Sequence, residues 1–302
     1  MFKSKNSMSR ALVRRETTAG YLFLLPSLFF FVTFVLYPMF LCLYTSFFDS
    51  NMGKNAVDVF VGLGNYKELF QDKLFLGALK NTVVIVVVAV PTVCAFSLWV
   101  ATAIYDMKPA LTSAFRCIFY LPVVTGSVAV TVVWKWMYNS RYGVFNYLFK
   151  SLGIIDQNIN WLGDARFALW CIILILFTTS VGQPIVLYVS ALGNVDHSLV
   201  EAAQVDGANR RQVFWKIKWA QIMPTTLYIL IITTINSFQC FALIQLLTSG
   251  GPTHSTDTIM YYIYYTAFKL YRYGYGNAMG VVLMIIIAVL SAVQFKLGQQ
   301  SD

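Results

Sequence analysis

Thr233, Asn236, Ser237 and Cys240 recur at three- and four-residue spacing inside an apolar run of about residues 222–247. That spacing puts them on one face of a helix. Neutral amides and hydroxyls there can exchange hydrogen bonds with a hydroxyl-bearing group without binding an ion. Polar side chains at bilayer depth are costly unless they face protein or a water-filled path. Two readings stay open: a lining for a polar solute, or hydrogen bonds between packed helices, which use the same residue types.

A second group lies in the polar segment 194–224, between two apolar runs, and its centre reads Glu201-Ala202-Ala203-Gln204-Val205-Asp206-Gly207-Ala208. Ser198 and Glu201 stand at capping-box spacing, which would satisfy the first free N–H groups of a helix. Gly207 suits the left-handed position that closes one. The expected shape is a two-turn helix, a bend at Gly207, and a basic helix (Arg210, Arg211, Lys216, Lys218) returning to the membrane. A short helix held between two spans suits docking to something outside the bilayer. The alternative is that Glu201 only caps its helix. Asp206 is open between helix-end polarity and contact, and Gly207 reads as a backbone requirement.

Other chemistries find no support. No glycine loop followed by Lys-Ser or Lys-Thr occurs, so the chain is not expected to bind or hydrolyse ATP. No catalytic cluster and no metal-ligand spacing is visible. Cys42, Cys94, Cys117, Cys171 and Cys240 fall in or beside apolar runs and read as small packing residues. His197 and His254 read as solvated loop residues. The basic residues are spread over many loops, which disfavours nucleic acid.

The elements that carry these residues follow from composition. Of 302 residues, 58% are hydrophobic and 12% charged, about half the charge of a soluble domain. Apolar runs near 21–47, 82–105, 114–137, 166–192, 222–247 and 278–295 are each long enough to cross a ~30 Å hydrocarbon core. The expected fold is all-α, a polytopic membrane bundle of six transmembrane helices. It divides into an N-terminal segment 1–20, a six-span domain 21–298 containing the 194–224 loop, and a tail 299–302. Pro122 and Gly126 break the third span, and Gly182-Gln183-Pro184 interrupts the fourth. Part of the 49–80 loop is expected as an amphipathic helix on the membrane, and the tyrosines of 261–275 as an interfacial belt. Twelve of the 22 basic residues fall on the N-terminus, the 106–116 link, the 194–224 segment and the tail. That margin, with five of them ahead of the first span, puts both termini and the 194–224 segment in the cytoplasm.

These residues carry a family. Glu201-Ala-Ala, Asp206-Gly207-Ala208, Phe214, Ile217 and Pro224 closely resemble the cytoplasmic signature loop of ABC importer permease subunits. Outside it, Leu24-Leu-Pro26, Leu36-Tyr-Pro38, Gly62-Leu-Gly64-Asn65-Tyr66, Leu121-Pro122, Trp134-Lys-Trp136, Trp161-Leu-Gly-Asp164, Thr248-Ser-Gly-Gly-Pro252 and Tyr275-Gly276 resemble the carbohydrate-uptake branch. The chain departs at Trp219-Ala220, where the family usually has Leu-Pro, and it lacks the extra N-terminal spans and large outer domain of some maltose-type subunits.

The resemblance implies a type I importer permease in a bacterial or archaeal cytoplasmic membrane. Leu199, Glu201, Ala202, Ala203, Asp206 and Gly207 would then meet a separate ATPase, which binds ATP and magnesium. Its partners would be a second, non-identical permease, two ATPase copies and an extracytoplasmic solute-binding protein, met by the outer loops 49–80 and 249–276. The positions of the polar face in span five match cavity-lining positions in maltose-type relatives, and Ser127, Thr179, Ser180 and Gln183 join them. The cargo would be a carbohydrate, a di- or oligosaccharide. Glycerol phosphate would call for arginines in the cavity, which spans three to five lack when Arg116 is assigned to the link. An ion-coupled transporter would need buried acid or lysine pairs, and none is seen.

Overall fold

The computed structural model describes residues 3–50 and 58–299. Residues 51–57 of the expected polar loop, and 300–302 of the expected tail, lie outside the described residues. Helices carry the architecture. α1 (Lys3–Phe31) and α2 (Tyr37–Thr45) join into one long helix through a π-helical stretch, Val32–Leu36. Pro38 accounts for that stretch: its ring has no N–H and crowds the Phe34 carbonyl one turn back, so the ladder loosens there. After it, β1 (Phe48–Asp49) pairs antiparallel with β2 (Val59–Phe60).

α3 (Gly64–Gln71) is the amphipathic helix of the first outer loop. Leu69 is fully buried in a cluster with Phe75, Tyr275 and Met279, while Phe70 on the same helix is exposed. α4 (Lys73–Tyr105) starts well before the expected residue 82. Asp72 sets that start, since its Oδ1 accepts the Leu74 N–H at 2.8 Å and supplies an N-cap.

α5 (Pro109–Val124) and α6 (Ser127–Met137) form the broken third span and meet at 95°. Pro122 removes one ladder hydrogen bond, and Thr125 closes the end by donating its Oγ1 to the Leu121 carbonyl at 2.9 Å. Pro109 opens α5 at a position where proline is favoured. Arg116 therefore lies inside the helix, about 10 Å along it from Pro109, and not in the link as the sequence suggested.

α7 (Val144–Ser151) lies in the second outer loop. α8 (Ala168–Ser180) and α9 (Gly182–Gly193) make the fourth span, with a break at Val181. The Ser97 hydroxyl donates to the Val181 carbonyl at 3.2 Å, satisfying a group the break would otherwise strand. A Cβ on Gly182 would collide with the Phe119 carbonyl, so glycine lets α5 and α9 approach closely.

α10 (His197–Val205) follows, then α11 (Arg210–Val213), which runs through a π-helical stretch, Phe214–Lys218, into α12 (Trp219–Phe238). The chain ends with α13 (Ala242–Leu247), α14 (Ile259–Tyr264), a π-helical stretch Tyr265–Lys269, and α15 (Tyr273–Gln299). Among the described residues, five helices are long and apolar enough to cross a membrane, and the α5–α6 pair brings the number to six when counted as one span. α4, α9 and α12 build the central core, around Val93, Ile185, Tyr188, Ile222 and Ile229. Within a bilayer such contacts stabilise by close packing, because lipid tails are as apolar as leucine. The first span is the exception: none of its apolar stretch within Glu16–Thr45 is buried.

Candidate functional site

Val123 of α5, Thr179 and Ser180 of α8, Gln183, Pro184 and Leu187 of α9, and Ile232, Thr233 and Asn236 of α12 surround a cavity of about 150 Å³. None of these residues is charged. Five of the eight expected cavity residues meet here, brought together by the α8–α9 break and by one face of α12. The Gln183 and Asn236 side chains are exposed and have no hydrogen-bond partner among the described residues. Thr179 is more constrained, since its hydroxyl donates to the Ile175 carbonyl at 3.0 Å. A pocket enclosing a whole small ligand usually measures about 300 Å³ or more, so this recess holds part of a solute and leaves the rest to another surface.

Ser127, Ser237 and Cys240 do not line this recess. Ser127 opens α6 beyond the bend and is exposed. Ser237 is packed inside, and Cys240 sits in a cluster with Tyr138, Ile172 and Leu243. α12 ends at Phe238, so the helical spacing that placed Cys240 on the polar face stops short of it. The interhelical alternative also occurs, on a neighbouring residue: Gln294 of α15 donates to the Thr234 hydroxyl at 2.9 Å.

The 194–224 segment has the expected shape but a different cap. Asp196, not Ser198, starts α10, accepting the Ser198 N–H at 2.9 Å. The capping box lies one helix later, where Asn209 accepts the Gln212 N–H at 2.9 Å and Gln212 accepts the Asn209 N–H at 2.8 Å. Glu201 thus takes no part in capping. It points to solvent from the middle of α10, a helix with no buried residue. Gly207 has φ +84°, and nothing would obstruct a side chain there, so backbone conformation alone demands glycine. The Gly207 N–H reaches the Gln204 carbonyl and the Ala208 N–H the Ala203 carbonyl, at 3.0 and 2.9 Å, which is the Schellman closure. Leu199 is 50% exposed and Val205 87%. Sequence reasoning passed over Val205, although its position four residues after Glu201 was the available signal. His197 is the first residue of α10 and exposed.

At the opposite end the polar residues are locked together. Asp72 Oδ2 accepts the Tyr262 hydroxyl at 2.7 Å and the Tyr275 hydroxyl at 2.9 Å. Burial works against its charge, but these bonds and two backbone N–H groups outweigh it, holding the carboxyl below its ordinary range. Tyr261, Tyr262 and Tyr275 are therefore core residues and not an interfacial belt. Asn81 donates to the Ser255 and Asp257 carbonyls at 3.1 and 3.0 Å. Arg272 grips Glu68 through two 2.8 Å bonds. His254 is not simply solvated: its Nδ1 lies 2.7 Å from Asp257 Oδ2. Burial raises the Asp257 carboxyl, and His254 opposes that rise.

A six-span bundle with an exposed helix between its fourth and fifth spans matches a described family. Residues 59–299 fit the binding-protein-dependent transport system inner membrane component. The chain belongs to this family. Its members are translocation subunits of ABC importers and not enzymes; the ATPase is a separate subunit. Among relatives, the lactose transport system permease protein LacF of Rhizobium radiobacter is 33% identical over 94% of this chain and 95% of its own length. The multiple sugar-binding transport system permease protein MsmF of Streptococcus mutans is 32% identical over 94% and 96%. A permease chain in the crystal structure of a bacterial alginate ABC transporter, bound to a pentasaccharide-loaded periplasmic protein, superposes with TM-score 0.80 at 24% identity over 93% of both chains. At that identity the likeness shows the fold. This inner membrane permease therefore has the importer fold over nearly its whole length.

Proposed function

We propose that this chain, as a single six-span domain over residues 21–298, passes a carbohydrate, a di- or oligosaccharide, into the cytoplasm of a bacterium or archaeon. The observation that carries the reading is the uncharged recess of Thr179, Ser180, Gln183, Thr233 and Asn236, whose free amides suit hydroxyl groups and bind no ion. Relatives named for lactose and multiple sugars are consistent with it. Ser127, Ser237 and Cys240 lie outside the recess and are given no contact with the cargo. The incomplete recess and the uncovered first span favour assembly with a second, non-identical permease. Two ATPase copies would bind ATP and magnesium and clasp α10 through Leu199, Glu201, Ala202, Ala203, Asp206 and Gly207. A solute-binding protein would deliver cargo at the outer end, and both termini would be cytoplasmic.

Uptake of labelled disaccharides in cells expressing the whole transporter tests this. Asn236→Leu is expected to cut uptake at least tenfold (about 1.4 kcal/mol in the transport barrier) with normal assembly. Unchanged uptake of every sugar offered would reject the recess as the path.

A second reading, an anionic polyol such as glycerol phosphate, draws on Arg116. It lies inside α5 on the same stripe as Val123, seven residues on, and its Nε is buried without a partner. A glycerol-3-phosphate permease of Agrobacterium fabrum is 29% identical over 91% of this chain and 93% of its own length. Arg116 does not line the recess, so the neutral cargo is preferred.

A further inference from the structure

A larger opening lies where the spans end in the cytoplasm. It measures about 640 Å³ and is walled by Tyr105 at the end of α4, Val195 after α9, Val200 of α10, and Arg210, Phe214 and Lys218 leading into α12. Lys218 Nζ stands 5.2 Å from the centre of the Tyr105 ring. Neither Arg210 nor Lys218 has an ion-pair partner among the described residues. Trp215 is exposed and packs its ring 5.5 Å from that of Trp219. Tryptophans beside lysines at a span end mark the headgroup level of a bilayer, which fixes the depth of the groove.

Two unpaired cations beside an apolar strip of Val195, Val200 and Phe214, in a groove otherwise of mixed polarity and at headgroup depth, suit an anionic lipid. The charges refine the choice. Asp106 and His197 also line the groove. Arg210, Lys218 and Asp106 together leave one net positive charge, which matches a monoanionic headgroup better than a phosphate dianion. We infer that this groove binds one anionic phospholipid of the inner leaflet, with its phosphate between Arg210 and Lys218 and an acyl chain along Val195, Val200 and Phe214. This goes beyond the transport role and does not depend on which solute is carried. A bound lipid there would support α10 from behind while leaving Glu201 and Val205 free.

The test uses the intact transporter with all its subunits, examined by native mass spectrometry after exchange into mixed phosphatidylglycerol and phosphatidylcholine. The wild type is expected to retain phosphatidylglycerol preferentially. The Arg210→Gln, Lys218→Gln double variant is expected to bind it about 25-fold more weakly, at about fivefold per lost cation. Arg141→Gln, at the outer end, is expected to change nothing. Lys218→Gln alone gives a milder version should the double variant fail to assemble, with an expected loss of about fivefold. Equal phosphatidylglycerol retention by the variants and wild type would overturn the inference. So would displacement of the lipid by excess inorganic phosphate, or crosslinks showing the groove filled by the ATPase.

Discussion

The two ends of this permease are built on opposite plans. At the outer end, elements far apart in sequence are tied by side-chain hydrogen bonds: Asp72 to Tyr262 and Tyr275, Asn81 to the 255–257 backbone, Glu68 to Arg272. At the other end, α10 is held by its own caps, by the Asp196 N–H bonded to Gln221 at 3.0 Å, and by Val200 packed against the central core. It buries no residue. The outer end is thus cross-tied within the chain, although Ser50 Oγ, Ser255 Oγ, Asp257 Oδ1 and Thr266 Oγ1 are buried there without a partner, while α10 keeps an apolar edge and a carboxylate uncovered. On the proposed coupling, that open surface is what an ATPase would grip.

Substitutions can break that contrast, and stability ranks them. Asp72→Ala removes an N-cap and strands two buried phenols, with an expected cost of about 3 kcal/mol, read as a lowered unfolding midpoint of the purified complex. The same carboxyl predicts an acid limit. Its folded pKa is depressed, so its contribution is complete above the unfolded value near ~3.9 and is lost as pH falls below that value and through the folded one. An acid titration of wild type against Asp72→Asn checks it: the stability difference should shrink toward low pH.

Gly207→Ala forces an alanine to φ +84° and is expected to cost about 1 kcal/mol, confined to the exit of α10 and visible as faster amide exchange there. Glu201→Ala should leave stability within about 0.5 kcal/mol, because the side chain is exposed and caps nothing. Uptake should reverse the ranking, with Glu201→Ala losing most of its transport. If Glu201→Ala transports normally, α10 is not the handle, and the open end of the comparison has lost its meaning.

The sequence showed the spans clearly, because hydrocarbon thickness imposes a length that few other constraints imitate. It also showed the left-handed closure at Gly207, a local demand. It misplaced features that depend on competition or on distance. Ser198 and Asp196 are both good caps two residues apart, and spacing alone could not choose between them. Tyr262 and Tyr275 read as part of a belt because their partner, Asp72, lies about 190 or more residues away in sequence. Arg116 was counted with the 106–116 link, whereas Pro109 starts a helix that runs on through it. In the recess, Thr233 and Asn236 were legible from periodicity, but Cys240 was not, since the helix ended before reaching it.

α4 contains 33 residues, a rod of about 50 Å, well beyond what the bilayer requires. Its first turn is keyed to the tyrosines of the outer cluster, and its last residue, Tyr105, lies beneath Lys218 behind the exposed helix. A packed helix shifts as a body and does not stretch. On the proposed function, a push at the outer loops and a pull at α10 would act on the two ends of one lever, with no relay of intermediate contacts.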